Sequence, residues 1–225
     1  MNARRLSQAM LAGAFALQAA FWWNTRDMRP DFGLVPPVPT KEAIQALAFG
    51  DGQFLYRALG LNIQNTGDDG GRFTPLDRYD YGRLEGWFMA LDALDSVSDF
   101  MPVVAGYYFS NTPKRADIAH VVNYLRHYAR HDPARSWRWL AHAAYLARHR
   151  MKDQRLALEV ARELTALDVP DMPSWARQMQ VFILADLGEN EAARALMLAL
   201  LNGDPNLSPE ERNFMNHVLT TRLAQ

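Results

Sequence analysis

The sequence predicts an all-α protein of antiparallel helix pairs that recur about every 36 residues, after one hydrophobic helix near the N-terminus. Alanine and leucine dominate the second half, where glycine and proline are confined to turns, which favours helix over strand. Apolar residues recur there at spacings of three and four, as on the buried face of a helix. Turn residues and small residues recur at one fixed spacing, which indicates internal repeats.

Composition sets the class of protein. The chain has 225 residues, of which 49% are hydrophobic, so it can form one ordinary domain with a short appendage. It contains no cysteine. Disulfides, thiol nucleophiles, thiolate metal sites and lipidated cysteines are therefore excluded.

Charged residues fall into blocks of alternating sign, although the net charge is only −1. Residues 1–39 carry +2, residues 40–113 carry −5, residues 114–155 carry +7 and residues 156–225 carry −5. The basic block predicts a contact with an acidic protein, anionic headgroups or the acidic block of a second copy. The acidic flanks and a sequence pI near 6.6 argue against nucleic acid.

Residues 1–29 contain the hydrophobic segment that we predict to be a transmembrane or signal anchor. Residues 6–23 would form about 27 Å of helix, close to a bilayer core of roughly 30 Å. A cleaved signal peptide is an alternative, because Ala14-Phe15-Ala16 resembles a cleavage site. Phe21-Trp22-Trp23 favours the uncleaved anchor, since tryptophan prefers the headgroup level. A helix docked on the domain is the third possibility.

The expected location is the bacterial inner membrane, with a single pass and the helical domain in the periplasm. A signal-like start usually ends in export, and this decides the orientation. The arginines on either side of the segment leave the positive-inside bias nearly balanced.

A spacer and a helical hairpin precede the repeats. Four prolines within residues 30–39 predict an extended, stiffened spacer. Residues 40–78 predict a hairpin and loop, in which Thr40 caps a helix over 41–49 and a second helix covers 53–65.

Residues 79–225 contain the repeats, because several residue types recur 36 positions apart. These are Asp132, Asp168 and Asp204, with the pairs Trp139/Trp175 and Ala157/Ala193. Each period reads as two short helices joined by two to six residues. The predicted helices are 79–95, 99–111, 114–131, 135–150, 154–168, 173–187, 190–203 and 208–224, the last opening with a Ser208 capping box.

Two segments, 139–170 and 175–205, resemble tetratricopeptide (TPR) repeats. They share the turn residue Gly188, the small residues Ala157 and Ala193, and a closing Asp-Pro or its relative. The resemblance covers roughly residues 98–205, with a period of 36 where TPR has 34. The N-terminal third also resembles a family of bacterial membrane-associated proteins without an assigned function.

The TPR resemblance implies a curved α-solenoid whose concave groove, lined by the first helix of each pair, holds a peptide or partner protein. Ala141 and Arg177 depart from the family at its usual tryptophan position. The alternative is a solvated cationic face with both tryptophans packed between helices. The residues predicted to line the groove are Arg135, Arg138, Trp139, His142, Tyr145, Leu146, His149, Arg150, Trp175, Gln178 and Phe182.

Other sites are not indicated. His120, His127 and His131 share a helix face, but no carboxylate completes a metal set. Residues 65–71 resemble a calcium loop in composition only. No nucleophile or phosphate-loop motif is present, so we expect no enzyme activity, no cofactor and no metal.

The predicted function is a membrane-tethered TPR-like adaptor or scaffold that binds a protein or acidic peptide in the bacterial envelope. One alternative is an accessory subunit of a membrane enzyme or transport complex. Another is a soluble cytoplasmic helical scaffold, in which the hydrophobic segment is a docking helix.

Overall fold

The computed structural model of the protein is all-helical over the residues it describes, with no strand among them. These residues are 3–26, 33–68, 71, 73–167, 169, 172–205 and 207–224. Asp168, the middle aspartate of the predicted repeat series, and Pro30 of the spacer lie outside them. The predicted all-α class is confirmed.

The N-terminal hydrophobic segment forms helix α1, Ala3–Thr25, and its apolar side chains are exposed. Among the described residues, no helix has the length and apolarity needed to cross a membrane. The predicted apolar anchor helix is therefore not found. Every 18-residue stretch of α1 includes both Gln8 and Gln18, which lower its mean hydropathy.

The spacer is held against the domain by side chains from one helix. Helix α4 is Tyr81–Asp92, and its Trp87 donates from Nε1 to the carbonyl of Pro36 at 2.9 Å. Arg83 donates to the carbonyl of Val35, also at 2.9 Å. These contacts satisfy carbonyls that an extended segment cannot pair by itself.

The remaining helices follow the predicted order, with boundaries that differ by a few residues. In the N-terminal half, α2 is Lys41–Leu47, α3 is Gly52–Asn65 and α5 is Phe100–Val103. In the second half they are α6 Arg115–Ala129, α7 Pro133–Tyr145, α8 Gln154–Thr165, α9 Ser174–Asp186, α10 Asn190–Gly203 and α11 Pro209–Thr221. The predicted capping box at Ser208 and Glu211 is present.

Two helices contain a π-helical turn, a feature the sequence did not predict. Helix α5 runs into π1, Val104–Tyr108, and then into a 3-10 turn, Phe109–Asn111. Helix α7 runs into π2, Leu146–Met151. Each π turn contains more residues per turn than an α-helix. The side chains before it therefore point in a different direction from the one they would have in an uninterrupted α-helix.

The turns after π2 and after α9 are equivalent, which supports the predicted period. Lys152 and Gly188 lie 36 residues apart, and their φ angles are 58° and 79°. Ala157 and Ala193 each occupy the fourth position of the next helix and are fully buried. A small side chain at that position lets a neighbouring helix approach closely.

The tryptophan pair does not follow this equivalence. Trp139 is 4% exposed, whereas Trp175 is 52% exposed. The extra residue in π2 rotates Trp139 by about 100° relative to the register of α9. The residue of α9 that is structurally equivalent to Trp139 is therefore Ala176, which is buried as Trp139 is.

The buried apolar residues form two clusters of different composition. The first, called the aromatic core, draws its buried residues from the stretch between Val35 and Ala176. It includes Tyr56, Tyr81, Phe88, Phe109, Tyr124 and Tyr128. The second, called the aliphatic core, is formed by α8 to α11 with Ala147 of π2, and its buried members include Ala157, Ala161, Ile183, Met197, Met215 and Leu219. Consecutive helices from α6 to α11 pack against one another, which is compatible with a helical repeat.

Candidate functional site

A cavity of about 380 Å³ lies where the two π turns meet. Four of its lining residues come from these turns: Gly106 and Tyr107 from π1, and Leu146 and Arg150 from π2. The others are Ser110, Asn111, His142 and Tyr145. Because π turns often occur at functional sites, their meeting at one cavity makes it the candidate site.

Gly106 allows the two helices to approach each other here. A Cβ atom on Gly106 would lie 3.0 Å from Cδ2 and 3.3 Å from Nε2 of His142. The Gly106 carbonyl accepts from His142 Nε2 at 2.9 Å and from Ser110 Oγ at 2.5 Å. The contact thus fixes both the spacing of the helices and the orientation of the imidazole.

Aromatic rings form one wall of the cavity. The ring of His142 lies 4.6 Å from that of Tyr107 and 5.9 Å from that of Tyr145, with which it is stacked. His149 continues the row at 4.8 Å from Tyr145. We call Tyr107, His142 and Tyr145 the aromatic wall.

The polar atoms of the cavity include one strong cation and several acceptors. Arg150 donates from Nη2 to the carbonyls of Ser110 at 3.3 Å and Thr112 at 3.5 Å. Among the residues that the structure describes, it has no carboxylate partner within ion-pair distance. Asn111 uses Nδ2 to donate to Tyr107 and Tyr108, which leaves its Oδ1 as an acceptor.

His142 is neutral at physiological pH, because burial lowers the pKa of its imidazole. Nε2 faces the Gly106 carbonyl and carries the hydrogen. Nδ1 is therefore unprotonated and can only accept a hydrogen bond.

The predicted groove residues divide into three groups in the structure. His142, Tyr145, Leu146 and Arg150 line the cavity, and His149 lies beside it. A second group is used within the domain: Arg135 donates to the Ser96 carbonyl at 3.2 Å, and Arg138 and Trp139 donate to Asp99.

The third group lies on α9, away from the cavity. Trp175 packs on Trp137 at 5.7 Å between ring centroids. Gln178 is buried, and Phe182 packs near Phe214 at 6.3 Å. The structure therefore divides the residues of the single predicted groove between the cavity, internal contacts and α9.

The charge blocks pair with one another within the chain. Arg126 of the basic block binds Glu159 and Glu163, and Arg148 binds Asp186 at 2.5 Å. These pairs join neighbouring helices. Internal ion pairs thereby account for part of the alternating charge pattern.

Sequence reasoning missed Gly106, Tyr107, Ser110 and Asn111, which form half of the cavity lining. The available signal was Gly106, a glycine inside a predicted helix, which often marks a close approach of two helices. Within the described residues, no cluster of three potential metal ligands is present.

Comparisons with protein families, with curated proteins and with solved structures find no match for this chain.

Proposed function

We propose that the protein is a TPR-like adaptor that binds a partner protein through the exposed surface of α7 and π2. The observation that carries the proposal is the row of Tyr145, His149 and Arg150, all exposed at the C-terminal end of this helical pair. Aromatic and arginine side chains that remain exposed together are the composition that protein interfaces favour.

The partner segment is acidic. Arg150 and the exposed Lys152 supply positive charge here, while Arg148 is neutralised by Asp186. Burial, with the nearby cations Arg148 and Lys152, lowers the pKa of His149, so its ring contributes aromatic surface rather than charge at neutral pH. A charge-assisted contact to Arg150 would contribute about 1.5–3 kcal/mol where it is shielded from water.

Residues 6–23 tether the adaptor to a membrane in this proposal. The support is the exposure of large apolar side chains along α1, including Phe15, Phe21 and Trp22. Contact of such side chains with water is energetically unfavourable. The same exposure favours a second candidate, an accessory subunit whose α1 packs against the helices of a membrane complex. An adaptor tolerates a foreign anchor in place of α1, whereas an accessory subunit does not.

The test is affinity purification from the source organism in mild detergent, followed by mass spectrometry. The double variant Tyr145→Ala/His149→Glu should lose the main partner and keep its melting temperature. The control Phe73→Ala/His127→Glu makes the same kinds of change at exposed positions elsewhere and should keep the partner. Retention of the partner by the first variant and its loss from the control would refute this surface.

A further inference from the structure

The cavity between π1 and π2 has the size of a small-molecule site. Its volume of about 380 Å³ is near the lower end of ligand pockets, which are roughly 300–1,000 Å³. That volume suits one or two fused rings. It shares Tyr145 and Arg150 with the exposed row proposed to bind a partner, so a ligand in the cavity and that partner would compete for these two side chains.

The shape of the cavity lining favours a flat ligand. Tyr107 and Tyr145 are exposed on the side of the cavity, and His142 lies between them as the half-buried centre of the aromatic wall. Offset stacking of an aromatic ligand on such rings contributes beyond the apolar area it buries. A saturated ring of the same size cannot gain this contribution.

The polar atoms favour an acid that also carries a donor. Arg150 offers a guanidinium whose contacts in the structure are two long hydrogen bonds to carbonyls. Asn111 Oδ1 and His142 Nδ1 are acceptors that a donor on the ligand would satisfy. A phosphate monoester dianion presents acceptors only, so it would suit Arg150 but would leave the other two groups without a donor.

We propose that this cavity binds a small, flat aromatic carboxylic acid, whose carboxylate contacts Arg150 and whose ring lies on the aromatic wall. A hydroxyl or amino group on the ring donates to Asn111 or His142. The partner surface need not exist for this site to function.

The experiment is isothermal titration calorimetry of the full chain with four probes: 6-hydroxy-2-naphthoate, 2-naphthoate, 2-naphthamide and decahydro-2-naphthoate. The first should bind most tightly. We expect the amide and the saturated acid to bind at least about tenfold more weakly than 2-naphthoate. These comparisons change the ligand only, so they do not depend on whether a variant folds.

Two variants locate the site. Arg150→Gln should abolish the preference for acid over amide, whereas Arg155→Gln, an exposed arginine on α8, should leave it unchanged. Melting curves confirm that both variants fold. Equal binding of acid and amide, equal binding of flat and saturated acids, an acid preference that survives Arg150→Gln, or no saturable binding by any probe would overturn the proposal.

Discussion

The aromatic core and the aliphatic core show two ways of packing helices in one chain. The aliphatic core buries alanine, methionine and branched aliphatic side chains, such as Ala157, Met197 and Leu219, mainly between the regular helices α8 to α11. The aromatic core buries large rings whose hydroxyls need partners, as in the bond from Tyr81 to the Phe109 carbonyl at 2.8 Å. Both π turns and the cavity border the aromatic core. The irregular helices and the candidate cavity therefore lie beside the core whose buried side chains include large rings with hydroxyl groups.

Removal of residues 190–225 should produce the largest effect. It deletes α10 and α11 and exposes the buried faces of α8 and α9, including Leu158 and Ile183. We expect aggregation, or a melting temperature lower by at least about 10 °C, because the truncation removes several kcal/mol of stabilising free energy from apolar burial. Unchanged melting would show that the aliphatic core does not couple these helices.

Phe109→Ala tests the aromatic core. Phe109 is fully buried and contacts the rings of Tyr79, Tyr81 and Phe88. The substitution should lower the free energy of unfolding by about 3–5 kcal/mol in urea titrations. The matched change Phe73→Ala, at an exposed ring, should cost less than about 0.5 kcal/mol. Similar costs for both would contradict the assignment of the core.

Asp92 should make the stability of the aromatic core depend on pH. Its Oδ1 accepts from the Tyr124 hydroxyl at 2.9 Å, while Oδ2 has no hydrogen-bond partner among the described residues. Burial raises the pKa of this carboxyl to about 8. A raised folded pKa favours the protonated form, so the stabilisation is complete below the unfolded pKa of about 4 and is lost as pH rises through about 8.

The measurement is the free energy of unfolding between pH 4 and 8. The parent protein should lose up to about 1.4 kcal/mol per pH unit from this group, and Asp92→Asn should remove that slope. Glu191→Gln, at an exposed position, should leave the slope unchanged. If the slope persists in Asp92→Asn, a different titrating group causes the pH dependence of the free energy of unfolding.

Substitutions at the two equivalent turn residues, Lys152 and Gly188, should change the free energy of unfolding by small amounts of opposite sign. Gly188→Ala should cost about 1 kcal/mol, because its positive φ of 79° strains a residue with a Cβ. Lys152→Gly should relieve that strain at φ 58° and stabilise by about 0.5 kcal/mol. Thermal unfolding of both variants checks the pair, and equal signs would refute the equivalence of the turns.

The regular part of the fold could be predicted because its signals are local. Apolar spacing located the helices from α6 to α11, and Ser208 and Glu211 marked the start of α11. The repeat pattern predicted Gly188 as a turn residue, and the structure places Lys152 in the equivalent turn 36 residues earlier. Each of these features depends on residues close together in sequence.

The cavity could be predicted only in part. The helical arrangement of residues 135–150 indicated that Tyr145 and His149 lie near each other. The π turn in α7 rotated Trp139 into the core, and no residue pattern indicated that insertion. Half of the lining comes from the preceding helix, so its position depends on tertiary packing across Gly106.

The assignment of ligand binding to the cavity that borders the aromatic core is tested most directly by an NMR titration. ¹⁵N-labelled protein would be titrated with 6-hydroxy-2-naphthoate while backbone amide shifts are recorded. The largest shifts should occur at Gly106, Tyr107 and Arg150, with saturation and with no change in α10 or α11. Shifts concentrated in α10 and α11, or none at Gly106 and Arg150, would contradict it.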